Sequence, residues 1–195
     1  MLTKNRLNRI KSVASLRQSG LVLVFEDIHD PHNAAAILRT CDAFGLQQVY
    51  FIFEQEKYYN PKKIGKSSSS TANKWLDFQT YKSTKTCLQK LKKDGFTLVA
   101  TLLNQEAKDI FKAKFNQPKI AILIGNEHRG LSPLAAKMAD EKIYIPMRGM
   151  VQSLNVSVTT AIILFEITRQ RLKSKKNYQL SLSKKRKLVK NFLQR

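Results

Sequence analysis

The sequence has few residues of several kinds, and each scarcity excludes a class of protein. Among 195 residues there are two cysteines, Cys41 and Cys87. Two cysteines cannot build a disulfide framework or a cysteine-rich metal site, so we expect a cytoplasmic protein without a metal. The first twenty residues lack the apolar stretch of a secretory signal. No apolar run reaches the roughly 18 residues that a membrane-spanning helix needs, so no membrane partner is expected.

Acidic residues are absent from both ends of the chain. None precedes Glu26 and none follows Glu166, although the formal net charge of the whole chain is +21. Many of the cations lie in the first twenty residues and between Arg169 and Arg195. Clustered Lys and Arg neutralise phosphates and release counterions, so this distribution favours a nucleic-acid partner. Charge alone leaves a solubility tail or a membrane-surface patch as alternatives.

Short apolar runs alternate with helical patterns along the chain. We predict strands over 21–25, 49–53, 75–81, 96–103, 120–124 and 143–145, and helices over 34–44, 84–93, 133–139 and 153–173. Strands separated by helices are typical of an α/β fold with a mainly parallel sheet and helices on both faces. The stretch 54–74 has no clear period, and we predict a long surface loop there.

Both basic ends have apolar residues at helical spacing. The apolar positions are Leu7, Ile10, Val13 and Ala14 near the start, and Leu188, Val189, Phe192 and Leu193 near the end. We interpret these stripes as core or dimer contacts. The predicted organisation is a basic N-terminal helix within 1–20, a central domain over 21–173 and a basic C-terminal helix within 174–195.

Three segments carry more polar residues, glycine and proline at strand ends than folding alone requires. They run from Asp30 to Asp42, from Ile124 to Pro133 and from Ile145 to Val158. Ligands of an open α/β sheet bind beyond the carboxyl ends of its strands, so these segments form the candidate site. The sequence has no glycine-rich dinucleotide motif, no Gly-Lys-Ser/Thr phosphate loop and no Gly-x-Ser-x-Gly elbow, which disfavours enzymes that depend on them.

Several polar residues in these segments also have simpler interpretations. Asn33 suits a helix N-cap, and Arg39 suits a surface ion pair with Asp42. Ser153 is a candidate N-cap for the last long helix. Asn155 and Ser157 lie where an ordinary amphipathic helix does not need polar residues, which favours a bound polar ligand or a neighbouring chain as their partner, and a helix start satisfied by its own loop is the alternative.

In this order and spacing, the three segments resemble the motifs of the SPOUT superfamily of knotted S-adenosylmethionine-dependent RNA methyltransferases. The matching residues are Asn33 with Arg39, Gly125-Asn126-Glu127 with Gly130, and Ile145-Pro146-Met147 with Ser153-Leu154-Asn155-Val156-Ser157. The phrases Pro31-His32-Asn33 and Gly149-Met150-Val151-Gln152-Ser153-Leu154-Asn155 are most similar to the tRNA guanosine 2'-O-methyltransferases that act on the D-loop guanosine at tRNA position 18. The likeness covers nearly the whole chain.

The resemblance implies a fold, a cofactor and an assembly. The fold is a sheet whose C-terminal part, about 120–173, forms a deep trefoil knot, an exception to the usual rule against threaded chains. The cofactor is S-adenosylmethionine, and the substrate partner is tRNA. The assembly is an obligate homodimer with each active site at the subunit interface.

The resemblance also implies roles for individual residues. The cofactor contacts are Thr101, Leu102, Gly125, Ile145, Met147 and Leu154. Arg39 matches the catalytic arginine, and the residues that orient it, the ribose and the cofactor are Asn33, Glu127, Ser153 and Asn155. The RNA contacts on the basic ends are Arg9, Arg169, Arg171, Lys184, Lys185 and Arg186.

The stretch from Ser67 to Asn73 departs from the family pattern, because it is rich in serine and has no glycine. Relatives tend to have small Gly-Ser turns there, before the tryptophan that matches Trp75, so the departure leaves the choice of substrate open. Two alternatives follow. One is the same chemistry on another tRNA or rRNA nucleotide, and the other is a non-catalytic RNA-binding protein with this fold.

Overall fold

The fold consists of seven strands and six α-helices among the residues described by a computed structural model, which are 3–64, 72–103 and 106–195. The strands are β1 Leu21–Glu26, β2 Gln48–Ile52, β3 Asp77–Tyr81, β4 Thr97–Thr101, β5 Lys108–Asp109, β6 Ile120–Ile124 and β7 Glu141–Tyr144. The helices are α1 Lys4–Leu16, α2 Pro31–Ala43, α3 Thr84–Lys93, α4 Pro133–Met138, α5 Val156–Lys173 and α6 Leu182–Leu193. A short 3-10 helix spans Ala72–Lys74.

The seven strands form one sheet in the order β3-β2-β1-β6-β4-β7-β5. Every pairing between neighbours is parallel, which confirms the predicted α/β class. Because parallel strands point the same way, the carboxyl ends of β4, β6 and β7 meet at one edge of the sheet. The loop from β1 to α2 reaches the same edge, so all three predicted segments converge there.

Both faces of the sheet are covered by helices, as predicted. Alternate side chains of β1 face opposite sides: Leu23 and Phe25 belong to one apolar cluster, and Val22 and Val24 belong to the other. Helices α2 and α5 cover the first face, and α3 and α4 cover the second. Burial on both faces explains why these strands read as continuous apolar runs.

The two terminal helices pack against each other within one chain. Ile10 and Ala14 of α1 form a third cluster with Leu188 and Phe192 of α6. The Phe192 ring lies 5.2 Å from that of Trp75, edge to face. The C-terminal helix is therefore an integral part of the fold, and its buried apolar stripe is a core contact.

Two helices begin at residues other than the predicted ones. Helix α2 begins at Pro31 and not at residue 34, because the Asp30 side chain accepts a hydrogen bond from the His32 N–H and caps the helix. Helix α5 begins at Val156 and not at residue 153, because its N-cap is Asn155. The cap predictions for Asn33 and Ser153 are therefore wrong.

The loop after β2 contains no helix or strand between residues 53 and 64. Residues 65–71 lie outside the described part of the chain, and they include most of the Ser67 to Asn73 stretch. Asn73 itself is buried, and its amide donates to the carbonyl oxygens of Lys62 and Ile64. Strand β5, only two residues long, was not predicted.

Both cysteines are buried, and burial raises the pKa of the Cys87 thiol to about 12. Among the described residues, no helix is long and apolar enough to cross a membrane.

The packing of α6 predicts a specific loss of stability. Replacing Phe192, which is 1% exposed, with alanine removes a buried ring and should lower the free energy of unfolding by about 3–5 kcal/mol. The neighbouring Leu193 is 40% exposed, and Leu193→Ala should change it by less than about 0.5 kcal/mol. Urea unfolding of both variants measures the difference. Equal losses would show that α6 does not pack as described.

Candidate active site

A cleft of about 640 Å³ opens at the carboxyl ends of β4, β6 and β7. Its wall includes all six residues for which cofactor contact is predicted: Thr101, Leu102, Gly125, Ile145, Met147 and Leu154. Asn33, Glu127, Ser153 and Asn155 also line it. Four of the five predicted catalytic residues therefore share one cleft with the predicted cofactor contacts.

Glu127 joins the second segment to the first. Its carboxylate accepts hydrogen bonds from the backbone N–H of His29 at 2.9 Å and of Asp30 at 3.2 Å. It also accepts one from the Asn33 side-chain amide at 3.0 Å. Three donors on one carboxylate fix both the loop before α2 and the side chain of Asn33.

Asn33 and Asn155 extend this connection to the third segment. The Asn33 oxygen accepts a hydrogen bond from the Asn155 amide at 3.1 Å. The Asn155 oxygen accepts from the backbone N–H of Ser157 at 2.8 Å, which is its capping bond. The two asparagines therefore link the starts of α2 and α5, while Ser153 is exposed on the loop before α5.

The turn between β6 and α4 has a backbone that requires glycine at residue 125. A Cβ atom there would lie 2.2 Å from the Gly130 carbonyl carbon. Asn126 and Gly130 exchange two backbone hydrogen bonds, and the Asn126 side chain accepts from the N–H groups of His128 and Arg129. This tight turn presents Glu127 to the cleft.

Asp27 supports the site, although it is not among the residues predicted from the sequence. It has a positive φ of 53°, a conformation that is uncommon outside glycine and often marks functional regions. Its buried carboxylate accepts three consecutive backbone N–H groups, from Glu54, Gln55 and Glu56. The start of the loop after β2 is thus attached to the end of β1. An isolated Asp after a strand gives no sequence signal of this role.

Glu56, held in this way, is the centre of an ionic cluster at the rim of the cleft. Its carboxylate accepts hydrogen bonds from Arg129 at 2.7 Å and from Asn126 at 3.2 Å, and it bonds to the His29 ring at 3.0 Å. The hydrogen bonds to His29 and Arg129 lower the pKa of Glu56. The bond to Glu56 in turn raises the pKa of His29. The cluster fixes Arg129, a residue that also lines the cleft.

Arg39 lies apart from the cleft of its own chain. It is exposed on α2, and it does not line the cavity. The alternative interpretation, an ion pair with Asp42, is wrong, because the Asp42 carboxylate binds the buried guanidinium of Arg17. Arg39 makes no hydrogen bond to any residue in the described ranges, so its guanidinium is available to a ligand.

Most of the predicted RNA contacts are on the protein surface, with one exception. Arg9, Lys184 and Arg186 are exposed, Lys185 is half-buried, and Arg169 is exposed while bonded to Glu166. Arg171 is 4% exposed, and its guanidinium donates to the backbone oxygens of Ser19 and Gly20. Burial lowers its pKa to about 10, so it stays charged at neutral pH. Arg171 is therefore a structural residue, which corrects its predicted RNA contact.

Comparison with known proteins places the site in a family. The sequence pattern of the SpoU rRNA Methylase family matches residues 20–165. The chain belongs to the SpoU methylase family. The match includes the residues that build the cleft.

Individual members of the SpoU family are similar in sequence to this chain along most of their length. The chain is 41% identical to the tRNA (guanosine(18)-2'-O)-methyltransferase of Thermus thermophilus over 175 residues, which cover 88% of this chain and 86% of the relative. It is 36% identical to the Escherichia coli enzyme of the same name, over 87% of this chain and 72% of the relative. The family resemblance inferred from the motifs is confirmed.

Solved structures match the fold as well. The Aquifex aeolicus TrmH/SpoU tRNA modifying enzyme superposes with a TM-score of 0.87 at 35% identity, and the alignment covers 97% of this chain and 95% of that chain. The SpoU methyltransferase AviRb of Streptomyces viridochromogenes in complex with AdoMet matches with a TM-score of 0.69 at 27% identity, covering 84% of this chain and 62% of that chain.

The crowded turn after β6 predicts that two glycines of this SpoU methylase differ in their tolerance of alanine. In Gly125→Ala the new Cβ meets backbone, so we expect about 1–3 kcal/mol lower stability and weaker S-adenosylmethionine binding. At Gly149, in the third segment, a Cβ meets no atom of the described chain within 4 Å, so Gly149→Ala should leave both properties nearly unchanged. Thermal unfolding and calorimetric titration measure them. Equal behaviour of the two variants would contradict the geometry.

Proposed function

We propose that this protein is an S-adenosylmethionine-dependent tRNA (guanosine(18)-2'-O)-methyltransferase. The observation that carries the proposal is the convergence of the three motif segments on one cleft, joined by the Glu127, Asn33 and Asn155 side chains. Two relatives that bear this name are 41% and 36% identical over most of both chains. An RNA-binding protein without catalysis has no need of this linked polar set.

The cleft suits S-adenosylmethionine in size and lining. Its volume of about 640 Å³ lies within the range of small-molecule sites. Leu102, Ile145, Met147 and Leu154 supply apolar walls for an adenine ring, and backbone groups near Gly125 supply polar contacts. When bound, the cofactor supplies the methyl group for transfer to a ribose 2'-oxygen.

The chain's own residues position the nucleophile and control its charge. Arg39 donates hydrogen bonds to the phosphate beside the target ribose and stabilises the negative charge that develops on the 2'-oxygen, while the hydroxyl proton passes to solvent. Asn33 and Asn155, held by Glu127, orient the ribose and the methionine end of the cofactor. In-line placement of the hydroxyl accounts for much of the acceleration.

The homodimer is part of the proposal, and α5 supports it. Val158, Phe165 and Leu172 lie seven residues apart and so share one face of this helix, where they are 47%, 55% and 82% exposed. An exposed apolar stripe of this length is typical of an interface. In the proposed dimer each active site lies at the subunit interface, as the SPOUT resemblance implies, and Arg39, which lies outside the cleft of its own chain, acts there.

The remaining parts of the proposal concern chain path and location. We propose a trefoil knot over about 120–173, made by the last strands and helix, as the SPOUT resemblance implies. The division into 1–20, 21–173 and 174–195 is retained, with the end segments contributing tRNA contacts. The protein acts in the cytoplasm, where tRNA is modified.

Methyl transfer to defined RNA tests the proposed function. Purified protein is incubated with methyl-labelled S-adenosylmethionine and unmodified tRNA transcripts, and the 2'-O-methyl group is mapped. We expect label on guanosine 18 and none on a transcript with another base there. Label at another nucleotide would overturn the substrate, and bound cofactor without transfer to any tRNA or rRNA would favour the non-catalytic alternative.

Arg39→Lys tests the role of the guanidinium fork. Lysine keeps the charge but cannot make the paired hydrogen bonds, so kcat should fall by about 100-fold with little change in cofactor affinity. Arg6→Lys on α1 is the matched control and should retain its kcat at saturating tRNA. Near-normal turnover of Arg39→Lys would exclude the bidentate role.

Phe165→Glu tests the assembly. A charge in the centre of the α5 stripe should produce monomers with much reduced methyl transfer, because burying an unpaired carboxylate in an interface is unfavourable. Leu182→Glu on α6 alters an apolar residue that is 74% exposed and should leave the dimer intact. Light scattering gives the mass of each. A Phe165→Glu variant that remains dimeric would place the interface elsewhere.

A further inference from the structure

A second cavity, of about 730 Å³, lies at the edge of the sheet opposite to the active-site cleft. Its lining includes residues that immediately precede or begin strands: Gly20 before β1, Gln48 in β2, Phe96 before β4, and Lys119 before β6. The six residues of β1 span about 20 Å at about 3.3 Å each. The two cavities are therefore separated by the length of the strands. We call this cavity the rear groove.

The rear groove is strongly basic. Four lysines line it, Lys90, Lys119, Lys176 and Lys184, against one acidic residue, Asp94. Of the four lysines, Lys90 pairs with the Asp94 carboxylate, and the described residues give that carboxylate no other cationic partner. The Lys119 ammonium donates to the Asp94 backbone oxygen, and Lys176 donates to the Asn116 backbone oxygen. A carbonyl oxygen does not neutralise an ammonium charge, so both lysines remain attractive to an external anion.

Aromatic residues also line the rear groove. They are Tyr50, Phe96 and Tyr178, and the Lys119 ammonium is 5.7 Å from the centre of the Phe96 ring. Tyr50 and Tyr178 are buried, at 3% and 9% exposed, so their rings cannot stack on bases, and the exposed Lys119 and Lys176 are the groups that can meet a phosphate backbone. A site for a small anion would instead need several donors aimed at one point.

One wall of the rear groove is fixed by the segment between α5 and α6. The backbone oxygen of Tyr178 accepts a hydrogen bond from the Ser19 N–H at 2.6 Å, and Gln179 forms an antiparallel bridge with Gln18. The buried guanidinium of Arg171 lies 4.4 Å from the centre of the Tyr178 ring. This attachment holds Lys176 and Lys184 at the groove and makes it continuous with the basic helix α6.

We infer that the rear groove binds the phosphodiester backbone of the substrate tRNA at a point remote from the nucleotide that is methylated. This inference rests on the proposed function, because it assigns a second contact to the same substrate. The tRNA would then contact one protomer at both edges of the sheet. The rear groove would contribute affinity and would not take part in the chemistry.

The double variant Lys119→Gln with Lys176→Gln tests this assignment. Two lost phosphate contacts should weaken tRNA binding by about tenfold and reduce the slope of log Kd against log salt by roughly 1.5. The affinity for S-adenosylmethionine and kcat at saturating tRNA should not change. The matched control is Lys112→Gln with Lys114→Gln, which removes two exposed lysines that do not line the rear groove.

Lysine modification with mass spectrometry locates the contact directly. Bound tRNA should protect Lys119 and Lys176 from acetylation and leave Lys112 and Lys114 reactive. Unchanged tRNA affinity of the groove variant, or an equal loss in the control variant, would overturn the inference. Wild-type protein that binds tRNA at the groove without methylating it would contradict the proposed function and support the rear groove.

Discussion

The carboxylate of Glu127 is the constraint on which the site depends. It lies just after β6, yet its three hydrogen bonds within the described part of the chain come from the loop before α2 and from the first turn of α2, 94 to 98 residues earlier in the sequence. Strands β1 and β6 are neighbours in the sheet, so their carboxyl ends hold the donors and the acceptor together. Without this carboxylate, two backbone N–H groups and the Asn33 amide would lose their partner, and the link to Asn155 would lose its support.

Two unusual backbone features keep Glu127 in place. Gly125 allows the turn after β6 to fold back within contact of Gly130, where no side chain fits. Asp27 adopts a left-handed conformation at the end of β1, and its backbone oxygen accepts a hydrogen bond from the Asn126 amide at 2.8 Å. The strained backbone of Asp27 therefore lies beside Asn126, which lines the cleft, and the surrounding hydrogen bonds compensate for the strain.

Sequence patterns predicted the sheet and the cleft because both depend on features that are local in the chain. Buried strands such as β6 appear as apolar runs, and polar residues after them mark the site. Strand β5 has only two residues, too few for a pattern. The Arg171 error has a related cause: a basic residue in a basic stretch indicates the surface, whereas its partners, the Ser19 and Gly20 carbonyls, are about 150 residues away in the chain. The Asp27 and Glu56 contacts are equally non-local.

A double-mutant cycle between Glu127 and Asn33 tests most directly whether these residues act as one unit. The measurement is kcat/KM for tRNA methylation by Glu127→Gln, Asn33→Ala and the double variant. If Glu127 acts by holding Asn33, each single substitution lowers kcat/KM. The kcat/KM of the double variant should then lie within about threefold of that of the less active single variant. Reductions that multiply in the double variant would mean that the two side chains contribute independently, and would contradict this account of the site.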